Sequence, residues 1–218
     1  MSEKAFTPAL GYRFLTPAYD LVVGLLTREQ LWRTKLLELI DPKSGDRMLD
    51  VGCGTGSLIA QLSCIQPEAE RLGLDPDPRV LEIARRKAGR SGENVRWENG
   101  FLDRQMVAKI GHVSKVVSSL VFHQTSFDEK RTILAAMHSV LGPGGQLYIA
   151  DYGFQRTRPM RMLFRTTVQL VDGIRDTQPN ADGCLSELIE AAGFLQVEEI
   201  SVISTATGSI SLYRASIE

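Results

Sequence analysis

The 218-residue chain predicts an α/β fold. The expected form is a doubly wound sheet of seven strands, with an antiparallel hairpin at its end and an N-terminal helical cap. Three observations carry this. Five short apolar runs alternate with stretches of helical periodicity, the pattern of strand–helix units that build a parallel sheet. Between the first run and its helix stand three glycines at alternate positions, Gly52, Gly54 and Gly56. Such a turn carries the chain tightly from a strand into a helix N-terminus. Finally, residues 194–203 and 209–214 alternate in polarity around Ser204-Thr-Ala-Thr-Gly208, a hairpin signal.

Taken in order, Gly11 to Leu21 is aromatic, Pro-containing and too irregular for a helix. Thr27-Arg-Glu-Gln30 has the spacing of a capping box, and the helix it would start carries Leu31, Trp32, Leu36, Leu39 and Ile40 and stops before Pro42. Met48 to Val51 is the first strand, and Ser57 to Leu62 is the helix behind the glycines. Arg71 to Asp75 is the second strand. Pro76-Asp-Pro78 opens a helix that runs to about Lys87, with Val80, Ile83 and Ala84 inward. Val95-Arg-Trp97 is a short third strand. Lys115 to His123 is nearly all apolar, as a central parallel strand covered on both faces should be. Phe127 to Leu141 reads as a helix with Ile133, Leu134 and Met137 inward and Gly142 as C′ cap. Gln146 to Asp151 is the fifth strand, Arg156 to Asp172 an inserted helix, and Leu185 to Gly193 a helix ending in glycine.

Composition bounds the function. With 43% hydrophobic and 23% charged residues this reads as one domain, 1–218, with residues 1–42 as cap and 155–180 as an inserted lid. A net charge of −1 offers no field for nucleic acid. Met1-Ser-Glu-Lys4 does not begin a secretory signal, and no apolar run approaches the ~18 residues of a membrane span. Cys53, Cys64 and Cys184 lack metal-ligand spacing, so no metal and a reduced, cytoplasmic setting are expected.

The glycine turn points to a nucleotide-like ligand. A dinucleotide fingerprint would need Gly or Ala at position 57, where Ser57 stands, and no lysine follows to make a P-loop. Asp50 lies at the strand end just before the turn, where its charge would repel a pyrophosphate and favour a cation. S-adenosylmethionine, with a sulfonium and an ammonium, suits that placement. Asp75 lies about 20 residues beyond the glycines, the distance at which such a unit places a ribose-binding carboxylate.

Leu49-Asp-Val-Gly-Cys-Gly-Thr-Gly56 resembles the first motif of the class I S-adenosylmethionine-dependent methyltransferases, and Leu141-Gly-Pro-Gly-Gly145 before a strand is similar to another of their features. The resemblance implies a Rossmann-like fold, S-adenosyl-L-methionine as cofactor, and binding by Asp50, Gly52, Cys53, Gly54, Gly56, Asp75, Pro76, Phe101, Leu102 and Ser118. Where the family often has an acid for the adenine amino group, this chain has Phe101; Asp103, two residues on, or a backbone group are the alternatives. Tyr19-Asp20, Leu31-Trp-Arg33 and Gly208-Ser-Ile-Ser-Leu212 resemble the branch that methylates ubiquinone and menaquinone precursors. The signatures of base-methylating enzymes, Asn/Asp-Pro-Pro-Tyr/Phe and Pro-Cys, are absent from the sequence.

Two catalytic candidates follow. His123, after the strand bordering the methyl position, is either a general base or a turn cap. Tyr19 either faces the sulfonium or packs. The segment from Arg158 to Val171 places Met160, Leu163, Phe164, Thr167, Val168 and Val171 on one helical face beside Arg156, Arg158, Arg161 and Arg165. It is either a helix packed on the sheet or a lid for a small, apolar or lipid-like acceptor, with weak peripheral membrane contact. An NAD-linked oxidoreductase and a cofactor-binding protein without turnover are the competing readings.

Overall fold

The computed structural model describes residues 24–88 and 95–218. Its elements are α1 (Glu29–Ile40), β1 (Arg47–Val51), α2 (Ser57–Ile65), β2 (Glu70–Asp75), α3 (Pro78–Ala88), β3 (Val95–Asn99), α4 (Arg104–Ile110) and β4 (Val113–Ser119). A 3-10 turn at Phe122–Gln124 leads to α5 (Phe127–Val140) and β5 (Leu141–Tyr152). Then come α6 (Arg158–Thr166), α7 (Val168–Asp172), α8 (Ile174–Ala181), α9 (Cys184–Ala191), β6 (Leu195–Thr205) and β7 (Gly208–Ser216). The seven strands form one sheet in the order β3-β2-β1-β4-β5-β7-β6. Strands β1 to β5 pair in parallel, and β7 pairs antiparallel with both β5 and β6.

Alternation along the strands splits the core into two layers. Leu49, Val51, Leu72, Val116, Leu147 and Ile149 pack with Leu134 and Met137 of α5 and Leu188 of α9. Met48, Val117, Tyr148 and Ala150 face the other way, onto Trp32, Leu36 and Ile40 of α1 and Leu58 and Leu62 of α2. Strand order reverses between β1 and β4, so the carboxyl ends of these two strands border the crevice at which such sheets take ligands.

Several local expectations are corrected. The capping box at Thr27 does not form: α1 starts behind Arg28, whose backbone is left-handed at φ 52 with no side-chain cap. In α3 the inward residues are Leu81, Ala84 and Ala88, while Ile83 is half-exposed. The apolar run 115–123 ends as a strand at Ser119, because Leu120 turns with φ 55 and the chain enters the 3-10 turn. At the end of α5 the chain goes straight into β5, with Leu141 extended (φ −71, ψ 137), so Gly142 is not a left-handed cap. The inserted helix breaks at Thr167 into α6 and α7, and α8 follows. Helix α4 is an addition that the sequence pattern did not show.

Candidate active site

The glycine turn after β1 is shaped by backbone hydrogen bonds. Gly52, Gly54 and Gly56 have φ of 74, 52 and 71. The N–H groups of Gly52 and Cys53 both donate to Leu74 O at 2.8 and 3.1 Å, which ties the turn to β2. Gly54 N–H donates to Asp75 Oδ2 at 2.9 Å, and Asp77 N–H to Asp75 Oδ1 at 2.9 Å. Two amides therefore orient the carboxylate, while each oxygen keeps a lone pair for another donor. Burial raises the Asp75 pKa against the pull of these two amides. A Cβ built on Gly54 meets nothing within 4 Å, so the backbone there borders open space that a ligand can approach. On the underside of the turn the Trp97 ring fills a slot left by missing side chains: a Cβ at Gly56 or Gly73 would lie 2.6 Å from it.

Three fastenings were not anticipated. Lys87 Nζ donates to Thr55 Oγ1 (3.1 Å) and Ser57 Oγ (2.8 Å), holding the turn from α3. Asn99 Nδ2 donates to the carbonyls of Asp75 and Pro76, both at 3.0 Å, fixing the end of β2. Arg33 on α1 is the third: its charge acts on Asp50, and its own ion pair is with Glu29 at 2.6 Å. Asp50 is 3% exposed, and neither carboxylate oxygen has a hydrogen-bond partner among the described residues. Burial pushes its pKa up to about 7, assisted by the Asp75 charge and opposed by Arg33. A buried acid left without donors is a prepared acceptor for a cationic group.

Among the other expected contacts, Pro76 is partly exposed, Leu102 is buried, and Phe101 stands 44% exposed at the end of β3. Asp103 has a partner within its own helix. Its Oδ1 accepts from Met106 N–H at 2.8 Å as the N-cap of α4. Ser118 is engaged within the sheet. It is fully buried and its hydroxyl donates to Val51 O at 2.8 Å, stapling β4 to β1 beneath the crevice. The Cys53 thiol is buried and its pKa is raised by that burial, so only its backbone is available as a polar contact. Tyr19 lies outside the described residues.

The turn after β4 rests on the glycine turn, since a Cβ at Gly52 would strike Val121. It is gathered by Asp151 at the end of β5. Asp151 Oδ2 accepts from the N–H groups of Val121 (2.8 Å) and Phe122 (2.7 Å). Its Oδ1 accepts from His123 N–H (3.2 Å), Tyr152 N–H (2.8 Å) and the His123 ring at Nδ1 (2.8 Å). In the neutral tautomer that donates from Nδ1, the other ring nitrogen is an acceptor. That atom, Nε2, lies 3.7 Å from Asp172 Oδ2 on α7. Tyr152 meets the imidazole edge-on at 5.0 Å, and its own pKa is pushed up to about 12, chiefly by burial. Sequence reasoning reached His123 but neither Asp151 nor Asp172 as its partners. A separate concavity of about 620 Å³ between α1 and α2, lined by Thr34, Leu37, Cys64 and Ile65 among others, belongs to helix flanks rather than to the strand ends.

Residues 48–145 match the family model described as "Methyltransferase domain". Over 203 residues the chain is 30% identical to a demethylmenaquinone methyltransferase of Thermus thermophilus, covering 89% of each protein. The chain belongs to the class I S-adenosylmethionine-dependent methyltransferases. Solved structures agree on the fold. Magnesium protoporphyrin IX methyltransferase from Synechocystis, with SAH bound, superposes with a TM-score of 0.70 at 19% identity, over 94% of this chain and 89% of that one. An O-methyltransferase family protein from Burkholderia thailandensis gives 0.70 at 18% identity over 91% of this chain, which spans 58% of that longer protein. The methyltransferase thus takes S-adenosyl-L-methionine as cofactor, and the oxidoreductase alternative falls away. Its crevice fits the cofactor's chemistry: an orphaned buried acid for a cation, an oriented acid at a second strand end, and open space over Gly54. Among the described residues no helix is long and apolar enough to cross a membrane.

Proposed function

We propose that this methyltransferase acts on a lipid-like, hydroxylated aromatic acceptor, the reduced hydroquinone form of a demethylmenaquinone. The observation that carries the reading is the Asp151–His123 pair, a buried imidazole oriented on the turn that touches the glycine turn. The demethylmenaquinone methyltransferase of Thermus thermophilus supports the acceptor class. When bound, the cofactor supplies an electrophilic methyl group on a sulfonium.

The chain's residues then divide the work. Asp50 provides the counter-charge for the ammonium, and Asp75 accepts from the ribose hydroxyls through lone pairs its two amide donors leave free. Pro76, Phe101 and Leu102 border the adenine, and the Gly54 backbone permits close approach. His123 Nε2 takes a hydroxyl proton from the acceptor, making its ring more nucleophilic. Asp151 holds the imidazole in the tautomer that can do so, and Asp172 steadies the imidazolium that results. Tyr19, on the N-terminal segment, completes the set as an aromatic face for the sulfonium. The 155–180 segment is the acceptor lid, and the protein works from the cytoplasm with weak peripheral membrane contact.

Incubating the purified protein with methyl-labelled cofactor and a detergent-dispersed demethylmenaquinol, kept reduced by dithionite, should transfer label to its ring, the ring C–H proton leaving to solvent. A protein that binds SAH in calorimetry yet leaves the quinol unlabelled would overturn the acceptor reading.

A further inference from the structure

The segment α6–α8 presents two unlike faces. Its underside is anchored: Phe164 is 1% exposed, Val168 and Gln169 are buried, and Thr177 and Asn180 are fully buried. Asn180 Nδ2 donates to Tyr152 O at 2.9 Å, and Lys130, fully buried on α5, donates from Nζ to Asp176 O at 2.9 Å. Its outer side carries large apolar side chains left in water: Leu170 at 79% exposure, Val171 at 68%, Ile174 at 56% and Met162 at 62%. Leu170, Val171 and Ile174 fall within five residues around Gly173, at the corner between α7 and α8. Exposed aliphatic side chains grouped on a well-anchored corner mark a surface made to be covered.

The charges around that corner are lopsided. Arg158, Arg165 and Arg175 are exposed and make no ion pair with any described residue. Of the nearby acids, Asp172 faces His123 Nε2, Asp176 sets its charge against the buried Lys130, and Asp182 lies 3.7 Å from Arg161 and accepts from Gln178 at 2.9 Å. Between α6 and α8 a cavity of about 220 Å³ is lined by Arg161, Phe164, Arg165, Gln169, Gln178 and Ala181. Arg161 is already committed through Nε to Gln155 O at 2.9 Å, and Gln169 Nε2 to Gln178 Oε1 at 3.0 Å. Arg165 is left to meet an anion there, and a guanidinium fork matches a phosphate. Exposed apolar side chains on one short segment with three exposed arginines that lack ion pairs are complementary to one partner above others, a sheet of anionic headgroups over hydrocarbon.

We propose that the α6–α8 corner is a docking surface for an anionic phospholipid bilayer, with Leu170, Val171 and Ile174 entering the interface and Arg158, Arg165 and Arg175 meeting headgroup phosphates. The inference deepens and rests on the reading of a lipid-like acceptor. Through Asp172, the docked corner lies against His123, so an acceptor would leave the bilayer at the reaction site.

The test is flotation of the purified protein with vesicles of phosphatidylglycerol and phosphatidylcholine, against vesicles of phosphatidylcholine alone. Binding should appear on the anionic vesicles, weaken as salt rises, and drop by about tenfold or more in Arg165→Glu/Arg175→Glu and in Leu170→Ser/Val171→Ser. Because these side chains are exposed, both double variants should keep the wild-type melting temperature and SAH affinity. Equal flotation by wild type and variants, or equal binding to both vesicle types, overturns the docking surface. So does a wild type that ignores vesicles but loses a dimer on Leu170→Ser/Val171→Ser, which would assign the corner to a second copy. Labelling of a detergent-dispersed, reduced quinol by a protein that ignores vesicles overturns this inference and leaves the acceptor reading standing. Salt-sensitive vesicle binding without quinol labelling supports the surface and overturns the acceptor.

Discussion

In the turn after β1, the crevice is shaped by backbone amides and strand-end acids. Leu74 O gathers two amides, Asp75 two more, and the glycines set the path. Across α6–α8 the shape depends instead on particular side chains, which meet both rings and carbonyls. Phe164 lies 5.2 Å from the Tyr152 ring, and Arg161 lies over Phe154 at 5.5 Å. Arg156 stacks on Phe154 as well and pairs with Glu199 on β6. The first region is built from backbone amides, which every residue but proline carries, around two strand-end groups about twenty residues away. The second depends on particular side chains, whether the partner is near in sequence, as Phe154 is to Arg156, or far, as Glu199 is. The methyltransferase should therefore respond differently when each is disturbed.

The largest effect should come where the two regions meet. His123→Ala should lower kcat by ~10²–10⁴ while SAH affinity measured by calorimetry stays near wild type. A loss of SAH affinity with kcat preserved would place His123 on the cofactor side of the comparison. Next comes Asp75→Ala on the cofactor edge. Removing an oriented carboxylate should weaken SAH binding by roughly tenfold to a hundredfold, since hydrogen bonds to charged groups are worth ~1.5–3 kcal/mol. Its melting temperature should also fall, because the Gly54 and Asp77 amides lose their acceptor. Asp75→Asn, which can still accept, should recover part of the melting loss.

A pH dependence should distinguish the regions further. Asp50 has its pKa raised from 3.8 to about 7, so over that interval the folded protein holds a proton that the unfolded chain has released. The Asp50 contribution to stability without cofactor is therefore greatest at the acid end and falls as pH climbs toward 7, a slope that Asp50→Asn should remove. A cationic cofactor favours the carboxylate. Its affinity should rise over the same interval and flatten above about 7, with proton release on binding near pH 6. Calorimetry in two buffers of different ionisation enthalpy measures that release, and Asp50→Asn should abolish it. An unchanged release in Asp50→Asn would move the titration to another group.

The smallest effect belongs to Asp103. As the cap of α4, its replacement by Ala should cost ~1 kcal/mol of stability and leave SAH affinity unchanged. A tenfold weaker affinity would return it to the adenine site.

What the sequence made legible follows the same division. The parallel strands, the terminal hairpin, the glycine turn and Asp75 could be read because period, glycine spacing and an acid at a strand end are local signals. Asp151 was visible only as the last residue of a strand. Its duty to His123 spans 28 residues and arises when β4 and β5 pair. The apolar run through Leu120-Val-Phe122 hid the end of β4, since that end is imposed by Asp151 capturing the amides of Val121 and Phe122. The four arginines near α6 looked alike in sequence. Contacts with Glu199, Gln155 and Asp182 separate Arg156 and Arg161 from Arg158 and Arg165.

Trp97 makes the glycine turn optically visible. The chain has two tryptophans, and this one lies against Gly56 and Gly73 on the underside of the turn, where its indole forms part of the floor. Trp32 is buried in α1, next in sequence to Arg33, whose charge acts on Asp50. Of the two tryptophans, Trp97 adjoins the cofactor edge, whereas Trp32 shares its core layer with Phe164 of α6 and Val168 of α7. Emission from a Trp32→Phe protein, excited where tyrosine does not absorb, is accordingly a reporter of the turn itself. Filling of the crevice could then be followed in real time while the acceptor side is changed at will.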